Sequence, residues 1–185
     1  QLDNLSDDEV KDIVNRWRDT NPKIRDLWYA FDSAAIEVIQ NGGSVSVRGC
    51  TLAREYDYKQ NRICLSIQLP SGRKLFYVDP AIGENRWGNP SITYMGLNDK
   101  NKWGRIETYG GKLVENCVQA IARDCLAQAI EHLEEAGFPV VFHVHDEVVI
   151  DIAPYADHDT MLKNVVKIMA QPIPWAQGLP LGAEG

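Results

Sequence analysis

Two apolar, β-prone runs enclose a short polar stretch in the C-terminal part of the chain. The first run is Val140–Val144 and the second is Val148–Ile152, and His145, Asp146 and Glu147 lie between them. Both runs are rich in β-branched residues and have the length of buried strands. The pattern predicts a hairpin that carries one or two carboxylates at its tip. The alternative is an ordinary polar turn in which Asp146 makes a turn hydrogen bond.

Apolar residues at helical spacing predict four helices. Ser6 and Glu9 form a capping box that begins the first helix, and Asn21-Pro22 begins a second helix that ends before Gly42-Gly43. The longest helix runs from about Leu113 to Ala136, and Asp157 or Asp159 caps the last one. The first helix has an apolar stripe of Val10, Ile13, Val14 and Trp17, and the aromatic residues Trp17, Trp28 and Phe31 are expected to lie in the core.

The middle of the chain is predicted to be β-rich. Ser44–Val47 and Ile63–Ile67 alternate between polar and apolar residues, and Lys74–Val78 follows a Pro-Ser-Gly turn. Residues 80–102 are predicted to form a long loop around a short Ile92–Met95 segment. The expected fold is α+β, with one small antiparallel sheet that contains the Val140–Ile152 hairpin. The long helix and the two N-terminal helices are expected to cover that sheet.

Composition is that of one soluble globular domain. The 185 residues are 44% hydrophobic and 24% charged, and no apolar run approaches the roughly 20 residues of a membrane span. No secretory leader is visible, so a cytoplasmic location is expected. The four cysteines form no CxxC pair and are expected to be reduced.

The net charge of −7 hides an uneven distribution. Residues 47–112 contain 11 Lys or Arg against 6 Asp or Glu, whereas the remainder contains 8 against 20. A basic middle within an acidic chain is typical of a protein with one phosphate-facing surface, and equally of a solvated β-region. The candidate phosphate contacts in this region are Arg73, Lys74, Arg105 and Lys112.

Several motifs in a fixed order resemble those of family A DNA polymerases, and the phage-type enzymes are the most similar. The motifs are Leu69–Arg73, Trp103–Arg105, Thr108–Asn116, Gln119–Asp124 on the long helix and His145–Glu147 on the hairpin. The resemblance covers essentially the whole chain. It implies that residues 1–185 are the palm and flanking part of a polymerase domain.

In that family the hairpin carries a carboxylate that binds the catalytic pair of Mg²⁺ ions. The resemblance implies that Asp146 is this metal ligand, that Glu147 is an auxiliary ligand, and that His145 lies near the primer terminus. Two cations about 3.5 to 4 Å apart activate the primer 3′-hydroxyl and neutralise charge on the transferred phosphate. The implied substrates are a deoxynucleoside triphosphate (dNTP) and primer–template DNA.

The resemblance also implies DNA contacts on the long helix. Gln119 matches a family glutamine that contacts the minor groove, where acceptors are shared by all base pairs. The family's Arg, Asn and Gln at four-residue steps correspond here to Gly111, Glu115 and Gln119. Lys112 and Asn116 are the nearest substitutes, so only Gln119 matches the family pattern.

Two family features are absent from the sequence. They are the strand with the first metal carboxylate and the fingers helix that grips the incoming nucleotide, both of which precede this region in the family. We therefore expect the metal site to be completed by an upstream Asp from another segment of the polymerase, and the isolated chain to be inactive.

Two alternatives remain open. In the first, His143, His145 and Asp146 form the mononuclear metal site of a hydrolase, because His143 and His145 share one face of a strand. In the second, the chain is a non-enzymatic DNA-binding or structural fragment.

Overall fold

The computed structural model describes residues 6–59, 61–85, 88 and 90–185. The chain divides into two compact units. The first comprises the residues up to Gln68 together with Lys74–Asn116, and the second comprises Leu69–Arg73 together with Cys117–Gly185. The fold is α+β, as predicted, and no described helix is long and apolar enough to cross a membrane.

The first unit begins with two helices, α1 (Asp7–Thr20) and α2 (Pro22–Asn41). The predicted capping box is present, because Ser6 and Glu9 exchange side-chain and backbone hydrogen bonds. Asn21 and Pro22 occupy the first positions of α2, also as predicted. However, α1 contains no buried residue, so the prediction that Trp17 lies in the core is wrong, whereas Phe31 of α2 is buried as predicted. Trp17 is partly exposed and stacks on Trp28 of α2.

Six strands form one antiparallel meander in the first unit. In chain order and in spatial order they are β1 (Ser44–Val47), β2 (Cys50–Asp57), β3 (Arg62–Gln68), β4 (Lys74–Glu84), β5 (Pro90–Leu97) and β6 (Trp103–Thr108). Helix α2 packs on this sheet and contacts β1 to β4. The core between them contains Phe31, Ala34, Ala35 and Val38 of the helix and Leu52, Leu65, Ile67 and Tyr77 of the sheet.

Most of the described residues between 80 and 102 lie in β4 and β5, so the prediction of a long loop is wrong. Pro80 lies within β4, where the register shifts between Val78 and Ala81. Asp79, at the shift, adopts a left-handed conformation with φ of 48°. A bulge is one of the few places where a strand tolerates proline, which explains why the sequence pattern indicated a loop.

The long helix α3 (Gly110–Glu135) belongs to both units, and Gly137 follows its end with φ of 83°. In the second unit the hairpin strands are β7 (Val140–Val144) and β8 (Glu147–Ile150), followed by α4 (His158–Met169) with Asp157 as its N-cap. Among the described residues the hairpin is a two-stranded sheet of its own. The prediction of one sheet that contains the hairpin is therefore wrong, because the described strands β1 to β6 pair with their neighbours in sequence and not with β7 or β8.

Candidate active site

The hairpin holds its two carboxylates at a tight turn. Strands β7 and β8 pair antiparallel, with Val144 opposite Glu147, so the connection consists of only His145 and Asp146. His145 adopts φ of 51°, a conformation that a two-residue hairpin turn requires at its first position. Asp146 and Glu147 are both exposed at this tip. The backbone therefore presents two adjacent carboxylates to solvent from a short, hydrogen-bonded element.

No side chain of the hairpin strands is buried, so the prediction of buried strands is wrong. Val141 is 60% exposed and Phe142 is 54% exposed, and Val144 and Val149 are also exposed. The sequence pattern is that of a buried strand, because such residues normally lie against another layer. In the part of the chain that the structure describes, no layer covers these side chains.

Asp146 lines two cavities of the second unit. One, of about 750 Å³, lies between Asp146, Glu147, helix α4 and the C-terminal segment Gly182–Gly185. The other, of about 360 Å³, is lined by Asp146 and by apolar side chains of α3 between Val118 and Ala129. Asp146 and this part of α3 therefore line the same cavity.

The carboxylates fit part of a magnesium site. Mg²⁺ in phosphate-transfer sites is held by one or two carboxylates together with phosphate oxygens. Asp146 and Glu147 supply carboxylate oxygens of this kind at an exposed tip. Within the described ranges, no three His, Cys, Asp or Glu side chains come close enough to hold a metal by themselves.

The predicted DNA contacts at the start of α3 make hydrogen bonds within the first unit. Lys112 Nζ donates to a Glu115 carboxylate oxygen 2.9 Å away, and this bond and the carboxylate's charge raise the pKa of Lys112. Asn116 donates its amide N–H to the hydroxyl of Tyr77, also at 2.9 Å. One turn later, Gln119 is exposed and belongs to the second unit.

The two candidate arginines also bind groups within the chain. Arg105 donates to the backbone oxygen of Asp79 and to the hydroxyl of Thr93, each at 3.1 Å. Arg73 donates through Nε to Asp124 at 2.6 Å. The sequence motifs contain both Arg73 and Asp124, but nothing in their spacing indicated this pairing across 51 residues.

The hydrolase alternative receives no support from the position of His143. Its Nε2 lies 3.0 Å from a guanidinium nitrogen of Arg123. Arginine has only donors, so this histidine nitrogen accepts a hydrogen bond and is not available to a metal while the bond persists.

A curated relative is similar to nearly the whole chain. The DNA polymerase of Bacillus phage SP02 is 44% identical to it over 183 residues, which are 98% of this chain and 27% of that polymerase. This chain resembles part of a phage DNA polymerase. The predicted resemblance to a phage DNA polymerase is thereby confirmed, and the chain spans about a quarter of the length of that relative. No family model and no solved structure matches the chain.

Proposed function

We propose that this chain is the palm and flanking part of a family A DNA polymerase and contributes its carboxylate hairpin to template-directed DNA synthesis. The observation that carries the proposal is the 44% identity with a phage DNA polymerase over 98% of the chain. The exposed turn with Asp146 and Glu147 supports it, because nucleotidyl transfer needs carboxylates on a rigid element.

Asp146 is the proposed metal ligand, Glu147 has an auxiliary role, and His145 lies near the primer terminus. When bound, a pair of Mg²⁺ ions would supply charge neutralisation at the transferred phosphate. The two carboxylates are too few to complete such a site, so an aspartate from another segment of the polymerase would provide the rest. The hairpin's contribution is to hold its carboxylates in place, which its two-residue turn favours.

The proposed DNA-facing residues differ in solvent exposure and in the hydrogen bonds described above. Gln119 is exposed on α3 and is the best candidate for a minor-groove contact. Lys112 is exposed, and a lysine is charged at neutral pH, as a phosphate contact requires. Glu115 and Asn116 would orient their neighbours through the bonds described above, and Arg105 would use its remaining N–H groups.

The proposed partners are primer–template DNA, dNTP and the rest of the polymerase, and the proposed location is the cytoplasm. By itself the chain would be a DNA-binding or structural fragment. It would become part of an enzyme only together with the segment that supplies the other metal ligand and the nucleotide-gripping helix.

A hybrid polymerase tests the role of Asp146. In this hybrid, the present chain replaces the 183 matched residues of the phage SP02 enzyme. We expect Asp146→Asn to lower the rate of nucleotide incorporation about 10²- to 10³-fold, because the amide keeps the shape but loses several kcal/mol of charge stabilisation. Single-turnover primer extension measures this rate.

The matched control is Asp151→Asn, the same substitution just beyond the end of β8. It should leave the rate within about twofold of the unmodified hybrid, since an exposed charge away from the turn contributes little. A near-normal rate for Asp146→Asn would exclude the metal-ligand role, whatever the control shows.

A further inference from the structure

A buried carboxylate of α3 holds the turn between β3 and β4. Ser71 Oγ donates to one oxygen of Asp124 at 2.5 Å, and Arg73 Nε donates to the other at 2.6 Å. The Asp124 side chain is only 8% exposed. All three residues belong to the second unit. A carboxylate this well buried is costly unless its oxygens are paired, so the turn and the helix depend on each other here.

The same arginine binds α3 at a second point. Its other guanidinium nitrogen donates to the backbone oxygen of Ala120 at 2.8 Å. Ala120 and Asp124 lie one helical turn apart, and a planar guanidinium can bridge them, whereas a lysine ammonium cannot reach both in the same way. Ala120 directly follows Gln119, the proposed minor-groove contact. Arg73 therefore fixes the turn of α3 that begins at Gln119.

The residue directly before Asp124 on α3 contacts the hairpin. Arg123 donates to Nε2 of His143 on β7, at 3.0 Å. Because arginine has only donors, Nε2 of His143 accepts this hydrogen bond. His143 lies two residues before the turn with His145 and Asp146. Arg123 and Asp124 are consecutive on α3, and they bind the hairpin and the β3–β4 turn, respectively.

We propose that Arg73, Arg123, Asp124 and His143 are positioning residues that hold the Asp146 turn and the Gln119 turn of α3 in one fixed arrangement. The inference rests on the proposed function, since it concerns where the metal ligand stands relative to the DNA contact. It assigns Arg73 to positioning, because its guanidinium is already bound to Asp124 and Ala120. The Arg123–His143 bond is exposed and contributes little to stability, so its effect is on geometry.

The test uses the hybrid polymerase with four variants: Arg123→Leu, His143→Leu, the double variant, and His143→Gln. A displaced Asp146 binds its cations less well, so we expect either leucine variant to raise the Mg²⁺ concentration for half-maximal rate about tenfold or more. The dissociation constant for primer–template should change less than about threefold, because these residues touch no DNA in the proposal. The double variant should be no worse than either single one.

Glutamine at position 143 keeps an acceptor for Arg123. The Mg²⁺ concentration for half-maximal rate of His143→Gln should therefore be close to that of the unmodified hybrid. Lys163→Leu, an exposed residue of α4, is the control for loss of a charge and should change nothing. If Arg123→Leu fails to fold, the comparison of His143→Leu with His143→Gln carries the same test from an exposed strand position. A purely structural role would lower the amount of active enzyme and leave its Mg²⁺ dependence unmoved.

Arg73→Lys separates positioning from a phosphate contact. If Arg73 is a positioning residue, this variant should shift the Mg²⁺ dependence of the rate. If Arg73 is a phosphate contact, the variant should instead weaken DNA binding and reduce the salt dependence of that binding. An unchanged Mg²⁺ dependence in all variants, with additive effects on rate, would overturn the inference. If Asp146→Asn still abolishes activity in that case, the proposed function stands and only the positioning network fails.

Discussion

At the scale of single residues, some charged side chains form ion pairs and others are exposed to solvent. Some bind each other: Lys112 with Glu115, and Arg73 with Asp124. The hairpin carboxylates, Asp146 and Glu147, are instead exposed at a turn. Motifs were enough to single out the exposed pair, because short-range sequence identifies a turn. They could not reveal the partner of Arg73, because that pairing is non-local and depends on the folded turn.

Glu55 gives a residue-scale prediction for pH. Its carboxylate accepts hydrogen bonds from Lys74 at 2.7 Å and from Ser66 at 2.6 Å, and these bonds lower the pKa of Glu55. A carboxyl group whose pKa is lower in the folded chain stabilises it above the unfolded pKa of about 4.3. That contribution is lost as the pH falls through the lower, folded value.

We therefore expect Glu55→Gln to lower the free energy of unfolding at pH 7 by about 0.5–1 kcal/mol, a modest effect because the side chain is 35% exposed to screening solvent. The difference between the two chains should fade below about pH 4. Urea unfolding at several pH values measures it, with the exposed Glu37→Gln as control. A difference that grew in acid would contradict the assignment.

At the scale of elements, local signals predicted the helices and missed much of the sheet. Capping residues and 3.6-residue spacing located α1, α2, α3 and α4, because both act within a few residues. The extent of β4 and β5 was missed because Pro80 and many polar residues interrupt the alternation there, while the strands are completed by pairing with each other. The separate hairpin sheet was missed because strand partners are a property of the whole chain.

Gly110 gives an element-scale prediction. It begins α3, and its N–H donates to Asp32 of α2 at 2.8 Å. A Cβ at this position would lie 2.8 Å from Asp32 Cβ and would overlap the backbone oxygen of Trp28. Backbone cannot move aside cheaply, so Gly110→Ala should destabilise the chain by about 2–3 kcal/mol.

The control is Gly104→Ala on β6, where an added Cβ meets nothing within 4 Å and stability should change by less than about 0.5 kcal/mol. Urea unfolding of the two variants beside the unmodified chain compares them. Equal stability for Gly110→Ala would show that α2 and α3 do not approach as closely as described.

At the scale of the whole molecule, a soluble composition coexists with uncovered apolar surface. The stripe of α1 and both strands of the hairpin are exposed, although their sequences are those of core elements. The chain also matches only 27% of the length of its phage relative. These two facts together favour a chain that acts with the remainder of a polymerase. The sequence could predict which residues are apolar, but not which of them the fold leaves exposed.

The most direct test of this account is primer extension with three samples: this chain alone, the rest of the phage SP02 polymerase without its matched segment, and the two joined as the hybrid. Two cations and a triphosphate need more ligands than Asp146 and Glu147 provide, so neither part alone should extend a primer. The hybrid should show template-directed, Mg²⁺-dependent incorporation. Extension by this chain alone would show that the catalytic residues are misplaced, and a folded hybrid that binds primer–template yet incorporates nothing would contradict the polymerase assignment.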